Sequence, residues 1–285
     1  MDDEIRALLA RHLPGRPVRS VVRLGEGYDN VAYEVDGELV VRFSKEDDPE
    51  ERSAAIRRDA DLLTAVAALS PLPVPEPVFA DPEAGVLGYV KVPGAPLHEN
   101  PVAEPARLAP ALGGFLGALH QVPLERMDGL VEPDTAPFTE WLAEAEDDYR
   151  AGAGRIPAAA RAAIEDFLGS APPPEPRDLV FCHNDLGAEH ILVDVRAGAV
   201  TGIIDWTDAA VTDPVHDLGL LYRDLGPEVF ELVVARYDGG LDEAGRERAL
   251  FYARCGVLGD IAYGVRTGRR PYLDNALANL GHTFA

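Results

Sequence analysis

The stretch FCHNDLGAEHILVD (residues 181–194), followed by GIIDWTDAAVTDPVHD (residues 202–217), places acidic residues and histidines among short apolar runs. Gly, Pro or acidic residues bound each run, and this pattern predicts short strands whose ends carry polar side chains. The tripeptide at residues 196–198 fits a tight turn between two of the runs. The predicted strands are residues 179–181, 190–194 and 200–205.

Three side chains converge if the second and third predicted strands pair as an antiparallel hairpin. His190 at the start of one strand and Asp205 at the end of the other then lie side by side at the same end. Asp185 lies on the loop that leads into the hairpin. Asp and His also cap turns, but so many acids beside apolar strands favour a site that transfers protons or binds a metal ion.

The composition excludes several classes of function. The chain has 285 residues, of which 47% are hydrophobic, enough for one large domain or two lobes with their own cores. A net charge of −23 and a pI near 4.6 make nucleic acid an unexpected partner, because phosphate backbones bind basic surfaces. The acidity would attract a cationic substrate, although keeping the protein in solution is a simpler reason for it.

The sequence favours a cytoplasmic enzyme that does not bind a membrane. Two cysteines, Cys182 and Cys255, are too few for a disulfide framework. Residues 1–16 are acidic, whereas a secretory signal is basic and then apolar. The longest apolar run, residues 62–69, is far shorter than a membrane span.

A glycine pair lies inside a predicted antiparallel meander of three Val-rich strands in the N-terminal third. Gly25 and Gly27 are followed by Tyr28 and Asn30, and the segment separates two strands. A turn that needs positive φ is the common reason for such glycines. A dinucleotide-binding loop joins a strand to a helix, whereas a loop between two strands is the arrangement with which kinases cover nucleotide phosphates.

Arg42 lies in the third strand of the meander, where a kinase carries the Lys that pairs with nucleotide phosphates. The next segment, residues 49–69, is predicted to be a helix, from which a kinase supplies a Glu that orients this Lys. Asp59 is the acid best placed for that task, and the longer Arg42 compensates for the shorter Asp59. An exposed ion pair or no contact is an equally supported interpretation, and Lys45 is a competing cation.

The rest of the chain predicts a linker and then a mostly helical part. Two further strands complete a small β part, residues 1–92, and residues 89–94 form a linker whose backbone, at Val90 and Val92, could pair with a purine edge. The remaining residues, 93–285, contain the central hairpin and most of the helices. A first helix is predicted over residues 2–13, and the later helical segments are 104–121, 138–150, 158–168, 214–224, 227–237, 242–266 and 271–281.

The two central motifs, HNDLGAEHILVD (residues 183–194) and IIDWTDAAVTDP (residues 203–214), resemble the catalytic core of the aminoglycoside phosphotransferase family. The usual pattern of that family is His-x-Asp, four residues and then Asn, with a later Ile-Asp-Trp or Ile-Asp-Phe. FLGALH (residues 115–120), before the break at Pro123, also resembles the segment that precedes the family's substrate insert. The resemblance runs from Gly25 to the C-terminal helices.

This family consists of antibiotic kinases, so the resemblance implies an α+β, protein-kinase-like bilobal fold. A small antiparallel β lobe with one main helix would bind the nucleotide, and a larger, mostly helical lobe would hold the catalytic loop and the substrate site. The resemblance also implies ATP or GTP as phosphate donor, Mg²⁺ or Mn²⁺, and a hydroxylated, cationic small molecule as acceptor. An aminoglycoside is the leading acceptor, which makes antibiotic resistance the expected role.

The resemblance also assigns the site residues. Asp185 resembles the catalytic Asp that accepts the proton of the substrate hydroxyl, and His183 resembles the buried His that supports its loop. Asp205 resembles the Asp that bridges a metal ion to the nucleotide phosphates. The residues that would bind the nucleotide are Gly25, Gly27, Tyr28, Asn30, Arg42, Asp59, Val90 and Val92.

His190 stands where the family usually has Asn as the second metal ligand, and Mg²⁺ prefers oxygen to nitrogen ligands. The 2''-aminoglycoside and macrolide phosphotransferases resemble this chain in carrying His there, so the resemblance implies one of these subgroups. Because a metal ion binds only the neutral imidazole, we expect activity to fall as the pH drops through about 6.5.

Other functions stay open on the sequence. The chain could phosphorylate the 2'-hydroxyl of a macrolide, or a hydroxyl of another antibiotic or metabolite. His183, His190 and His216 could bind Zn²⁺ in a metallohydrolase, although their spacing fits no compact zinc motif. The departures at Arg42 and His190 also fit a kinase-like binding protein without turnover.

Overall fold

The computed structural model describes residues 1–27 and 29–285, and Tyr28, one of the predicted nucleotide-binding residues, lies outside them. Contacts within the chain divide it into two compact units, Met1–Pro93 and Gly94–Ala285. The sequence placed this division one residue earlier, between residues 92 and 93. Along the described parts of the chain, no helix is both long and apolar enough to cross a membrane.

A five-stranded antiparallel sheet forms the centre of the unit Met1–Pro93. Its strands are β1 (Val21–Glu26), β2 (Asn30–Val35), β3 (Leu39–Ser44), β4 (Glu76–Asp81) and β5 (Val86–Val90). They lie in the order β1-β2-β3-β5-β4. Asp36 and Gly37, between β2 and β3, have φ values of 55° and 75°, as tight hairpin turns of this kind require. The predicted antiparallel meander is confirmed.

Two helices complete this unit, α1 (Asp2–His12) and α2 (Pro49–Ala67). The apolar face of α1 packs into the core of the sheet through Ile5, Leu8 and Leu9. α2 begins where the Asp48 carboxylate accepts the N–H groups of Glu50 and Glu51 at 2.9 and 3.0 Å, with Pro49 in its first turn. Its buried face consists of Ile56, Leu62, Leu63 and Val66.

The linker is shorter than predicted, because β5 continues through Val90. Tyr89 and Val90 lie within β5, which pairs with β3 on one side and with β4 on the other. Residues of high strand propensity stay in a sheet where neighbouring strands accept them on both sides. Of the predicted linker at residues 89–94, only the part from Lys91 onward follows the strand, and Val92 within it is buried.

The unit Gly94–Ala285 is mostly helical, as predicted. The segment predicted to be helical from residue 104 begins as a short 3₁₀ helix, Pro105–Leu108, before the first α-helix. The C-terminal helices pack around α7, which contacts three others. The helices are α3 (Ala109–His120), α4 (Phe138–Gly152), α5 (Ala158–Leu168), α6 (Val215–Val234), α7 (Glu243–Thr267) and α8 (Arg270–Thr283).

Helix α6 joins two segments that the sequence predicted as separate helices. It is kinked at Gly226, which has φ 77° and is followed by Pro227. Proline has no N–H, so the carbonyl of Arg223, four residues earlier, loses its helical donor. The His282 Nε2–H of α8 donates to that carbonyl instead, at 3.0 Å. The helical conformation is therefore interrupted at Gly226, and α6 continues beyond it as one kinked helix.

Two small antiparallel sheets, one of two strands and one of three, carry the central motifs. β7 (Val180–Cys182) pairs with β10 (Ala210–Thr212), and β8 (Ile191–Asp194) pairs with β9 (Ala199–Ile203) as the predicted hairpin. The short β6 (Ala95–Pro96) pairs with the other edge of β8. The Asp194 carboxylate accepts the N–H groups of residues 196 and 197 at 2.9 and 3.0 Å, so it closes the hairpin turn.

Candidate active site

The hairpin β8–β9 brings His190 and Asp205 together at its open end. Ile191 pairs with Ile203, and the Ile204 N–H donates to the His190 carbonyl at 3.0 Å, so the pairing continues beyond both strands. The His190 Nε2 atom lies 3.5 Å from Asp205 Oδ2. The side-by-side placement predicted from the sequence is confirmed.

Asp185 lies beside His190. The His190 Nδ1–H donates to the main-chain carbonyl of Asp185 at 2.8 Å, and Nδ1 lies 3.3 Å from the Asp185 carboxylate. A neutral imidazole with its proton on Nδ1 carries its lone pair on Nε2, and Nε2 faces Asp205. A lone pair and a carboxylate repel each other unless a proton or a metal ion lies between them. The donor set therefore fits a cation at this place.

Burial, together with the neighbouring carboxylates, favours protonation of Asp185. Burial raises the pKa of the Asp185 carboxyl above its ordinary value; the His190 imidazole opposes the shift, and the carboxylates of Glu189 and Asp208 add to it. Burial alone would lower the pKa of His190, but the carboxylates of Asp185 and Asp205 outweigh burial and raise it. A carboxylate with a raised pKa takes up a proton readily near neutral pH, which suits a general base.

His183 ties the loop between β7 and β8, residues 183–190, to the end of the hairpin; this loop is called the central loop below. The His183 side chain is buried, and its Nε2–H donates to the Ile204 carbonyl at 3.0 Å. Its Nδ1 then accepts the N–H of Asp185 at 3.3 Å. Burial lowers the pKa of His183 to about 4, so the neutral ring keeps one donor and one acceptor. These contacts are what the predicted supporting role of His183 requires.

The Asp217 carboxylate of α6 anchors the first residues of the central loop. It accepts the N–H groups of His183 and Asn184, each at 2.9 Å, and His120 Nε2–H donates to it at 3.4 Å. Burial by itself raises the pKa of Asp217. The hydrogen bond from His120 and the nearby imidazoles outweigh burial, so the pKa of Asp217 lies below its ordinary value. Asp217 therefore anchors this loop, and His120 is a buried residue that contacts the anchor.

The backbone is held in an uncommon conformation at two positions of the site. Asn184 and Asp205 have φ values of 65° and 63°, in the left-handed region. Non-glycine residues stay there where the surrounding structure holds them. Trp206, which follows Asp205, is only 2% exposed and packs near Phe115 and Phe181. The buried indole fixes the chain at the point where the Asp205 carboxylate leaves the hairpin.

In the unit Met1–Pro93, neither Gly25 nor Gly27 needs glycine for its own backbone. Both have φ outside the positive region, which excludes the turn explanation offered by the sequence. Among the described residues, a Cβ atom at Gly25 would meet nothing within 4 Å, and one at Gly27 would meet only the Asn30 carbonyl, at 3.9 Å. Glycines without a conformational or packing reason fit a place where a ligand approaches the backbone.

Arg42 of β3 forms an ion pair with Asp59 of α2. The two side chains are 12% and 17% exposed, so the pair is largely shielded from water. The competing cation, Lys45, pairs instead with Glu26 at 2.9 Å and donates to the Gly27 carbonyl at 3.2 Å. The sequence left open whether Arg42 or the competing cation Lys45 would pair with Asp59. The structure shows the pair Arg42–Asp59. The roles of these residues, and of Asn30, Val90 and Val92, in binding a nucleotide stay predictions.

A cavity of about 200 Å³ lies within the unit Gly94–Ala285. Ala188 and Glu189 of the central loop form part of its wall, so the cavity adjoins Asp185. Aliphatic side chains and the ring of Tyr272 line the apolar part of the wall. Its polar part consists of His98, Glu189, Asp224, Asp260, Asn275 and Asn279.

Arg223 neutralises only part of the negative charge at this cavity. Its guanidinium lies 3.4, 2.7 and 3.1 Å from the carboxylates of Glu189, Asp224 and Asp260. Burial raises the pKa of Asp260, which limits the charge on this carboxyl. One guanidinium among three carboxyl groups still leaves a potential that favours a cation.

The other acidic residues have structural partners or face solvent. Asp213, just before α6, accepts the N–H of Val215 at 3.2 Å and also pairs with Arg248 at 2.8 Å. On the acidic face of α4, Asp148 is buried and lies 2.9 Å from Arg266. The other acids of that face are exposed: Glu140, Glu144, Glu146 and Asp147.

The sequence did not identify the charge cluster around Arg223 as part of the site. Its members come from the central loop, α6 and α7, and no short motif spans these elements. One local signal was present, since Arg223 and Asp224 interrupt the otherwise apolar run at residues 218–225. Charged residues in such a place are seldom buried without partners.

A five-stranded antiparallel unit, followed by a mostly helical unit with an Asp–His–Asp site at its central hairpin, defines a kinase-like phosphotransferase. The sequence model of the phosphotransferase enzyme family matches residues 20–252 of the chain. The chain belongs to this family, and its fold is the bilobal, protein-kinase-like fold.

Several known proteins are similar to this chain. An aminoglycoside 3'-phosphotransferase from Streptomyces fradiae is 30% identical over 64% of this chain and 71% of that enzyme. A viomycin phosphotransferase from Streptomyces vinaceus is 27% identical over 96% of both chains. Among solved structures, the GDP and kanamycin complex of an aminoglycoside 2''-phosphotransferase has a TM-score of 0.74, with 23% identity and 98% of each chain covered.

Proposed function

We propose that this protein transfers the γ-phosphate of ATP or GTP to a hydroxyl group of an aminoglycoside, and thereby gives resistance to the antibiotic. The observation that carries the proposal is the convergence of Asp185, His190 and Asp205 on one end of a hairpin in a member of the phosphotransferase family. Phosphoryl transfer depends mainly on positioning and on neutralising charge, and these three side chains suit both tasks.

Asp185 is the proposed base. Its carboxylate would accept a hydrogen bond from the acceptor hydroxyl, orient the oxygen toward the γ-phosphorus, and take up the proton as the new bond forms. The raised pKa of Asp185 favours that proton transfer. The contacts of its backbone N–H with His183 and of its carbonyl with His190 hold the residue in place.

His190 and Asp205 are the proposed metal ligands, through Nε2 and the carboxylate. A divalent ion there would neutralise negative charge on the nucleotide phosphates. One nitrogen ligand is less favourable for Mg²⁺ and better tolerated by Mn²⁺, so both ions are candidates. The Nδ1–H of His190, donated to the Asp185 carbonyl, keeps the lone pair on Nε2.

The unit Met1–Pro93 is the proposed nucleotide-binding lobe. Gly25 and Gly27 leave space over the backbone for phosphates, and the shielded Arg42–Asp59 pair supplies an oriented cation. Asn30, Val90 and Val92, together with Tyr28, are the other proposed nucleotide contacts. The solved 2''-phosphotransferase with GDP supports a purine nucleotide as donor.

The acceptor is proposed to be cationic. The cavity beside the central loop carries Glu189, Asp224 and Asp260 around one guanidinium, and this potential suits an ammonium group. The relative from Streptomyces fradiae is an aminoglycoside 3'-phosphotransferase. The viomycin phosphotransferase aligns with this chain over nearly the whole length of both proteins, so viomycin is the second candidate acceptor.

The described residues do not support the zinc alternative. His183 and His216 use ring nitrogens for hydrogen bonds to Ile204 and Asn184. Neither of the two groups of side chains close enough to share a metal ion combines these histidines with His190.

The test is a panel of acceptors with ATP and with GTP, in Mg²⁺ and in Mn²⁺. Kanamycin, gentamicin, viomycin and a macrolide are incubated with the protein, and nucleoside diphosphate release and product mass are measured. We expect one phosphoryl group on an aminoglycoside and at least a 1,000-fold loss in Asp185→Asn. The proposal fails if no acceptor gains a phosphoryl group, or if Asp185→Asn transfers at the parent rate.

A further inference from the structure

Asn184, the residue before the proposed base, is held by side chains from two remote segments. Its Nδ2 donates to Asp134 Oδ2 at 3.0 Å, and its Oδ1 lies 2.7 Å from His216 Nδ1. Asp134 is 50 residues away in sequence and His216 is 32 residues away. Both polar atoms of the amide are therefore engaged, although neither partner belongs to the central loop.

The donors and acceptors of this network have only one consistent arrangement. The Asp134 carboxylate can only accept, so the amide nitrogen of Asn184 must face it. The amide oxygen then faces His216, whose Nδ1 must carry the hydrogen. Burial lowers the pKa of His216, so the ring is neutral near pH 7 and is held as the Nδ1–H tautomer.

The network is attached to rigid elements on every side. The Asp134 N–H donates to the Val211 carbonyl and the Val211 N–H donates to the Glu132 carbonyl, both at 3.1 Å, which fixes Asp134 on the edge of β10. The His216 ring packs against Trp141 of α4 and Tyr252 of α7, with ring centres 5.1 and 4.7 Å away. Asn184 follows β7, the partner strand of β10.

We propose that the Asp134–Asn184–His216 network is a positioning device for Asp185, in addition to the anchor that Asp217 supplies. The proposal rests on the proposed function, because it assigns Asp185 as the base. If position 184 served only to provide a left-handed backbone, Gly would suit it best. The amide instead connects the residue before Asp185 to a loop edge and a helix, so it restrains the peptide that carries the Asp185 side chain.

Loss of the network should affect the chemical step more than nucleotide binding. The Asp185 carboxylate lies 3.3 Å from His190 Nδ1, and a looser loop would let it drift from this place. A displacement of about 1 Å can lower a rate by about 100-fold. The residues proposed to contact the nucleotide directly lie in the unit Met1–Pro93, whereas His190 and Asp205 would act only through the metal ion, so the affinity for metal-free ADP should not change.

Asn184→Gly is the decisive variant, since Gly adopts φ near 65° without strain and both hydrogen bonds of the Asn184 side chain are lost. We expect kcat with the best aminoglycoside of the panel to fall at least 10-fold, with the Kd of metal-free ADP within about 2-fold of the parent. A kcat equal to that of the parent would show that position 184 matters only for its backbone, and the proposal would be wrong.

Matched variants at His216 separate hydrogen bonding from packing. His216→Phe keeps an aromatic ring against Trp141 and Tyr252 but has no donor, whereas His216→Asn has an NH₂ group that can replace Nδ1–H. We expect His216→Phe to reproduce the loss of kcat and His216→Asn to recover most of it. Equal activity of the two variants would contradict the network.

Nitrogen NMR of the histidine rings tests the network without turnover. The parent should show His216 as the Nδ1–H tautomer, and Asn184→Gly should change this signal. A His216 protonated on Nε2 in the parent would overturn the proposal. If the parent transfers no phosphoryl group to any acceptor, the proposed function fails by itself, and the NMR result still decides whether the network exists.

Discussion

The Nε2 atom of His190 lies 3.5 Å from Asp205 Oδ2, while its Nδ1–H is donated to the carbonyl of Asp185. The ring is therefore oriented by the central loop, and its lone pair is directed toward a carboxylate. This orientation is the one that a metal-binding imidazole needs, because the second hydrogen bond selects the tautomer.

His190→Asn should change which metal ion supports activity. An amide oxygen replaces the imidazole nitrogen, and Mg²⁺ prefers oxygen ligands. We expect the ratio of kcat with Mg²⁺ to kcat with Mn²⁺ to rise by about 10-fold, on the order of 1.4 kcal/mol of differential metal interaction. Initial rates across a titration of each ion measure it. An unchanged ratio would mean that His190 does not bind the metal ion.

The same substitution should change the acidic limb of the pH profile. The carboxylates of Asp185 and Asp205 raise the pKa of His190, so its proton competes with a metal ion up to a higher pH than for an ordinary histidine. Activity should fall as the pH decreases, because His190 and the base Asp185 both take up protons. In His190→Asn only Asp185 does so, and the acidic limb of the pH profile should be less steep than in the parent. An identical acidic limb in the two proteins would sink this explanation.

Asp217→Asn should destabilise the fold as well as the site. The carboxylate accepts the N–H groups of His183 and Asn184, and an amide can keep only one acceptor oxygen. We expect a loss of about 3 kcal/mol in the free energy of unfolding, because two buried donors lose charged acceptors. Urea denaturation measures it.

Asp147→Asn is the matched control for that variant. Asp147 pairs with Arg150 but is 78% exposed, so its replacement should change the free energy of unfolding by less than about 0.5 kcal/mol. Equal effects of the two substitutions on the free energy of unfolding would show that the buried Asp217 carboxylate stabilises the fold no more than an exposed carboxylate does.

His183 should make the fold less stable in weak acid. Its folded pKa is about 4, below the ordinary 6.5, so between these values the unfolded chain binds a proton that the folded protein does not. Stability is then lost as the pH falls from 6.5 toward 4, by up to about 3 kcal/mol for this one group. The raised pKa of Asp185 acts in the opposite direction within the same range.

The contribution of His183 is obtained by comparing pH slopes. His183→Asn removes its titration and leaves the other groups in place, so the difference in slope between parent and variant belongs to His183. Denaturant unfolding at several values between pH 4.5 and pH 7 gives both slopes. Parallel curves would show that His183 is not buried as a neutral ring.

Arg42→Ala should weaken nucleotide binding without affecting the acceptor. If the guanidinium contacts phosphates, its loss should raise KM for ATP by about 10- to 100-fold, the value of one or two charge-assisted hydrogen bonds. Asp59→Ala should give part of this effect, since it frees the guanidinium from its orienting partner. A double-mutant cycle that adds up without coupling would contradict a joint role.

The hairpin β8–β9 and the meander β1–β3 could be predicted because both depend on neighbours in sequence. Alternating apolar residues and a short polar turn are sufficient to pair strands that follow each other directly. The pairing of His190 with Asp205 follows from that register.

Contacts between remote segments could not be predicted in the same way. Arg223 meets Glu189 and Asp260, and Asn184 meets Asp134, through the packing of helices and loops that the sequence pattern leaves undefined. The end of β5 was also misjudged, because whether Val90 stays in the sheet depends on strands on both sides. Tertiary packing decides these features.

Glu189→Gln should weaken the binding of cationic acceptors more than it slows catalysis. Glu189 is the carboxylate shared by the cavity and the surroundings of Asp185, and its side chain is 11% exposed. Loss of one charged hydrogen bond to an ammonium group should raise KM for an aminoglycoside by about 10- to 100-fold. Arg223 keeps Asp224 and Asp260 as partners, so the fold should survive. Glu144→Gln, on the exposed face of α4, is the control and should leave KM unchanged. If both variants bind the aminoglycoside equally well, the cavity is not the acceptor site, and the cation must be recognised elsewhere.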